Sequence, residues 1–209
     1  SAINYLLNYG FKIVIFGKVK EEIKLDKKEY ENNLIYYSQN KYKSNFMDIF
    51  LLSKSKFVVS SITGLDSVPH IFKIPIIEVG VVPFALQRTF SKLYISIFKN
   101  YFSKTLNRNL TMSEIFENEI FVIGGDIDKI NNEIDFIHPN NEDILDACKE
   151  LIDKLNHKYI ENKENIENQK KFKEKYNYYI NKYYPARSVL ENQGTVAENY
   201  LKRNKFLLN

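Results

Sequence analysis

One cysteine, Cys148, is all that the 209 residues contain. No internal disulfide can form, and nothing in the cysteine usage asks for an oxidising compartment. Cys148 recurs at helical spacing with Ile144, Leu145, Leu151 and Ile152, which marks it as core rather than nucleophile. Glycine is scarce too, with seven in the chain. None falls in the repeated pattern of a phosphate-binding loop, and Gly124-Gly125 without a third glycine reads as a turn. Arginine is rarer still: of 30 basic residues only Arg88, Arg108, Arg187 and Arg203 carry a guanidinium. A net charge of +4 would ordinarily raise nucleic acid as a partner. The excess here is lysine interleaved with carboxylates, as in Lys20-Glu21-Glu22, which reads as a solvated face. The abundance of Lys, Asn, Ile and Tyr matches A/T-rich codons, so no nucleic-acid partner is expected.

Metal ligands are equally thin. His70, His138 and His157 stand apart from one another. Asp126 and Asp128 are better read as loop solvation than as a metal pair. The longest apolar stretch, 74–86, is broken by Pro75, Glu78 and Pro83 and is too short to span a bilayer. No cleavable signal precedes it, so a cytoplasmic setting is the expectation. Ser1-Ala2-Ile3-Asn4 already looks helical with no start signal before it, as in a piece of a longer protein.

What the chain has is 44% hydrophobic residues, enough for a globular core. Residues 2–9 read as a helix stopped by Gly10. Short apolar runs then alternate with helical segments. The runs are Lys12 to Gly17, Leu34 to Ser38, Phe57 to Val59 and Ile74 to Val79; the helices are 46–53 and 64–72. Such alternation predicts an α/β fold, a Rossmann-like open parallel sheet with helices on both faces. Residues 81–110 are irregular, with a strand suggested at 94–98. A capping box at Thr111-Met112-Ser113-Glu114 opens a helix over 112–117. A last strand at 134–137, an amphipathic helix at 141–156, a Lys/Glu-rich helix at 158–182, a break at Pro185 and a final helix at 195–205 complete the pattern. The expected division is a nucleotide-sugar-binding domain over 1–157 and a C-terminal helical extension over 158–209.

The most informative stretch is Ser60-Ser61-Ile62-Thr63-Gly64-Leu65-Asp66-Ser67, where a buried strand runs into hydroxyls, a glycine and a helix. In open parallel sheets, ligands sit beyond the carboxyl ends of the strands. Hydroxyls, an unhindered backbone and the free N–H groups of a helix start suit an anion such as a diphosphate. The same residues are equally ordinary as helix caps.

The wider context, Asn45 to Pro83, resembles the donor half of GT-B glycosyltransferases, in which helix, strand, Ser-Gly turn, helix and Pro-containing strand follow in this order. Heptosyltransferases and UDP-N-acetylglucosamine 2-epimerases share that plan. The nearer resemblance is to a family of bacterial surface-polysaccharide glycosyltransferases. It rests on Asp48-Ile49-Phe50-Leu51, Thr63-Gly64-Leu65 and Pro75, and continues in Asn107 to Phe116 and Asn140 to Leu155.

The resemblance implies that a nucleotide-sugar donor lies across the strand ends. Ser61, Thr63, Gly64 and Leu65 would hold its phosphates, the last two through backbone N–H. Gly17 would approach the base, Tyr37, Ser38, Ser44 and Met47 would wall base and ribose, and Gly80 would flank the sugar. Arg88 is a candidate for the leaving diphosphate, with a surface role its better reading. No cofactor or obligatory metal is implied. The acceptor would be a glycan or lipid-linked hydroxyl, and the catalytic base would sit on an N-terminal half that is absent here, so these residues alone should not turn over. The implied location is cytoplasmic, with peripheral contact at the inner face of the membrane. For that contact the helix 158–182 fits lipid, partner packing and plain solvation equally. The departures are Ser67 in place of a heptosyltransferase-like histidine, Ile15-Phe16 where the nearer family often has arginine, and Gly80 where it often has asparagine. Asp66 stands where an anion prefers no carboxylate, so it would cap the helix or bind a sugar hydroxyl. Two further readings stay open: a sugar-nucleotide epimerase of the same architecture, drawing on Asp66 and Glu78, and a non-catalytic binding or scaffold module.

Overall fold

The computed structural model describes residues 1–18, 23–87, 91–118, 120, 132–185 and 193–209. Helix α1 (Ala2–Asn8) starts under the Ser1 hydroxyl. It stops where Gly10 takes φ +97°, with Gly10 N–H on the Leu7 carbonyl and Phe11 N–H on that of Leu6. That left-handed stop is what the sequence predicts at this glycine.

Strands β1 (Ile13–Ile15) and β2 (Leu34–Tyr36) pair in parallel. Strands β3 (Val58–Ser60), β4 (Ile76–Val81), β5 (Tyr94–Phe98) and β9 (Thr195–Val196) form a second, four-stranded sheet in that order, also all parallel. The two sheets meet where the Phe11 ring touches Phe57 edge-on, 5.5 Å between centroids. In β4 every residue but Val79 is buried, and in β5 all are. Their near-continuous apolar sequence belongs to strands covered on both faces. Helix α2 (Asn45–Ser53) leads into β3, and α3 (Ser67–Ile71) links β3 to β4 and lies against α2. Helix α5 (Asn141–Leu155) covers β4 and β5 and carries α1 on its back. The chain is therefore a mixed α/β protein with a parallel sheet flanked by helices.

The second half departs from the expectations in two places. Besides the strand suggested at 94–98, which is β5, the stretch 81–110 holds two further strands. Strand β6 (Asn100–Ser103) pairs antiparallel with β7 (Arg108–Asn109) on one side and β8 (Ile134–Ile137) on the other. Helix α4 (Met112–Glu117) follows β7 behind the predicted capping box. The single helix expected over 195–205 is also corrected. Thr195–Val196 is strand β9, held by the Gln169 side chain, whose amide nitrogen donates to the Val196 carbonyl at 2.6 Å. Helix α7 (Glu198–Arg203) begins only after it. Pairing with β5 outweighs local helix propensity in a two-residue segment that is buried at Val196.

Helix α6 (Lys163–Tyr183) puts Phe172, Tyr176, Tyr179 and Ile180 into the main core. There Phe84 stacks on Phe98 at 4.3 Å and Phe116 on Tyr179 at 4.8 Å. Residues on both sides of position 157 thus share one core and one sheet. Among the described residues no helix is long and apolar enough to cross a membrane.

Candidate functional site

The turn after β3 is organised by Asp66, which is 2% exposed. Its carboxylate accepts the Ser60 hydroxyl at 2.5 Å, the Thr63 N–H at 2.9 Å and the Thr63 hydroxyl at 3.3 Å. Of the two roles open to it, Asp66 takes the cap: it closes the start of the helical turn Gly64–Asp66 that runs on into α3. Ile62 pays for the tightness, a β-branched residue at φ +61°, a conformation that costs about 1–3 kcal/mol.

Once Asp66 has taken these donors, the turn is left with Ser61 and its backbone. The N–H groups of Gly64 and Leu65 reach no acceptor among the described residues, and both residues are exposed. A Cβ placed on Gly64 would meet nothing within 4 Å. Glycine is therefore not demanded there by packing or by positive φ. Ser61 is exposed as well.

Gly80 does not follow β4 as expected; it lies inside the strand. The register slips between Val79 and Val81, and Gly80 sits in that irregularity at φ +74°, where L side chains are strained. A Cβ there would stand 3.5 Å from the Lys99 side chain and 3.9 Å from His138 Nδ1. Lys99 follows β5 directly and His138 follows β8. Sequence reasoning missed both, because each becomes informative only when β5 and β8 are seen to end beside Gly80. Strands β3 and β5 flank β4, so their axes lie two strand spacings apart, roughly 10 Å.

The wall expected over 37–47 is built mainly for itself. Tyr37 is 3% exposed, and its ring meets Phe16 at 4.9 Å. Its hydroxyl donates to the Ser44 carbonyl at 3.2 Å and accepts the Ser44 N–H at 3.1 Å. Burial, and then the Asp48 carboxylate, push its pKa up, so it stays a neutral hydroxyl. The Ser44 side chain caps α2 by accepting the Met47 N–H at 3.2 Å. Ser38 and Met47 are half-buried at the same loop, and Gly17 is exposed at the end of β1 with open space around its Cα. The ten residues thus fall into three groups: the Phe16–Met47 loop cluster with Gly17 beside it, the Ser61–Leu65 turn, and Gly80 under Lys99.

Glu78 is fully buried in β4, with the Ser96 hydroxyl donating to its Oε2 at 3.2 Å. His70 packs edge-on against Tyr94 at 5.0 Å. Among the described residues no three His, Cys, Asp or Glu side chains gather as a metal site requires. Arg88, Gly124-Gly125, Asp126 and Asp128 lie outside the described residues.

Fold and site together define a mixed α/β protein with a polar turn at the carboxyl end of a parallel strand, where two backbone N–H groups reach no acceptor among the described residues. Comparison with family models, with curated proteins and with solved structures gives no match.

Proposed function

We propose that this chain is the Rossmann-like donor-binding half of a GT-B-type glycosyltransferase in bacterial surface-glycan synthesis. The observation that supports it is the pair of N–H groups of the exposed residues Gly64 and Leu65, which reach no acceptor among the described residues, with open space at the Gly64 Cβ position. They lie at the carboxyl edge of parallel strands, where such sheets bind their ligands.

In this reading the donor's diphosphate lies on those two N–H groups, and Lys99 faces the outer phosphate or the sugar. Transfer breaks the bond between the sugar's anomeric carbon and the diphosphate oxygen and forms one to an acceptor hydroxyl. The departing diphosphate gains negative charge, which fixed N–H donors and a lysine stabilise without rearrangement. The acceptor's proton goes to a base on a facing domain.

A second reading, a non-catalytic module, is favoured by the engagement of the Ser60 and Thr63 hydroxyls by Asp66, which gives the turn a purely structural use. The epimerase reading draws less support, because Asp66 and Glu78 are 2% and 0% exposed and face hydroxyls of the protein.

The test uses saturation-transfer NMR with UDP, GDP, CMP and ADP on the wild type, Gly64→Pro and Lys99→Gln. Proline suits the first position of a helical turn, and the residue before it, Thr63, is already extended at φ −122°, ψ 169°. The change therefore deletes one N–H and little else. One nucleotide should bind selectively, about tenfold or more weaker in Gly64→Pro and weaker in Lys99→Gln. Binding to none of the four would reject a nucleotide site. Unchanged binding in Gly64→Pro would remove the turn from it.

A further inference from the structure

Helix α2 is apolar on more faces than a helix at a protein surface needs to be. Leu52 points inward at 5% exposure, while Phe46, Ile49 and Phe50 stand 72%, 48% and 43% exposed. A helix apolar all round belongs in a core or against lipid. Phe46 and Phe50 stack on one another at 6.0 Å without sinking into the protein. Helix α3 lies alongside, and at its end Ile71 and Phe72 are 75% and 51% exposed.

Charge around this face is mainly positive. Lys41 and Lys43 precede α2, Lys54 and Lys56 follow it, and Lys73 follows α3, all of them exposed. None of the five forms an ion pair with a described residue. Across 40–75 the only carboxylates are Asp48 and Asp66. Asp66 is buried beneath the turn, and Asp48 has its Oδ1 shut away from solvent. Nine residues make α2 about 14 Å long, so lysines at both of its ends fall within one footprint.

We propose that the α2–α3 face docks on an anionic lipid bilayer. Phe46, Ile49, Phe50 and Ile71 enter the boundary between headgroups and acyl chains, and the lysines meet lipid phosphates. The charge selects this occupant: a second copy of the chain would bring the same lysines face to face. Helix α6, for which lipid, packing and solvation stood equal in the sequence, turns Phe172, Tyr176 and Tyr179 into the core. The inference is independent of the donor-binding reading.

Co-sedimentation with phosphatidylcholine vesicles, with and without phosphatidylglycerol, tests it, alongside analytical ultracentrifugation without lipid. The wild type should sediment with the anionic vesicles, release in high salt and leave phosphatidylcholine alone nearly unbound. Phe46→Asp with Ile71→Asp alters two largely exposed side chains, so circular dichroism should not change while partitioning falls at least tenfold. Lys54→Gln with Lys56→Gln should reduce it by about fivefold per lysine. Equal binding to both vesicle types overturns the proposal, as does wild-type partitioning by the Phe46/Ile71 variant. So does a dimer that this variant dissolves in a protein that ignores vesicles.

Discussion

Asp66 shows how one side chain can be ambiguous in sequence and settled by its partners. Its carboxylate draws together Ser60 and Thr63 and fixes the start of a helical turn, leaving the exposed Ser61 and the N–H groups of Gly64 and Leu65 outside that network. Asp66→Ala should lower stability by about 1–2 kcal/mol through loss of the cap, read as a fall in the urea midpoint with an unchanged slope. Cys148 is the opposite case, legible from spacing alone. It is fully buried, and burial pushes its thiol up to about 12. The native protein should leave Ellman's reagent unreacted at pH 8 and titrate one thiol in guanidinium; rapid native reaction would show that the α5 core opens readily. Glu114 carries the clearest pH signature. The Arg108 fork, with Nη1 at 2.9 Å and Nη2 at 2.5 Å, and the Thr111 N–H at 2.9 Å hold its carboxyl down at about 2, from an ordinary 4.5. A depressed carboxyl pKa stabilises the fold above the unfolded value and loses that effect as pH falls through the folded one. The denaturation midpoint should therefore drop between about pH 4.5 and 2, and Glu114→Gln should flatten that drop. An identical profile for the variant would place the acid sensitivity elsewhere.

Elements differ in how much of themselves they carry in sequence. Strands β4 and β5 read as strands because cover on both faces demands an unbroken apolar run. Helix α5 read as a helix from its amphipathic stripe, and the structure adds a cap in which Asn140 and Asp143 bond each other's N–H at 2.9 and 3.1 Å. Strands β6 and β7 were hidden: Asn100–Ser103 is a strand only because β8, more than thirty residues on, pairs with it. Helix α7 depends on distant partners as well. Arg203 forks onto Asp143 at 2.8 and 3.0 Å and reaches Asp146 at 2.9 Å. The Tyr200 hydroxyl lies 2.7 Å from Asn100 Oδ1 and 3.1 Å from the Phe98 carbonyl. Burial raises that hydroxyl's pKa and keeps it a donor. Tyr200→Phe should cost about 1–3 kcal/mol, since a buried acceptor loses its donor; a change under about 0.5 kcal/mol would show that the site relaxes freely.

At the scale of the whole molecule, the parallel sheet is completed by its last strand. Ile95 pairs with Thr195, a closure spanning about half the chain. Residues 193–209 bring Val196, Ala197, Leu201 and Leu207, all 0% exposed, into the shared core. Deleting 193–209 should abolish cooperative thermal unfolding and expose dye-binding apolar surface; a sharp transition in the truncated chain would show that β3, β4 and β5 suffice. The candidate site was half visible beforehand. The Ser60–Leu65 turn could be read from small residues after an apolar run, whereas Lys99 and His138 gained meaning only where strands far apart in sequence end together.

Local pattern determined the α/β class, the parallel strands through β4, the cap at Thr111 and the buried Cys148, because each rests on neighbours within a few residues. Tertiary structure decided which side Asp66 serves, the bulge at Gly80, the antiparallel sheet, the strand at Thr195–Val196 and the exposure of Phe46 and Ile71. Those depend on partners far along the chain, and no local period records what will lie across from a residue once the chain has closed.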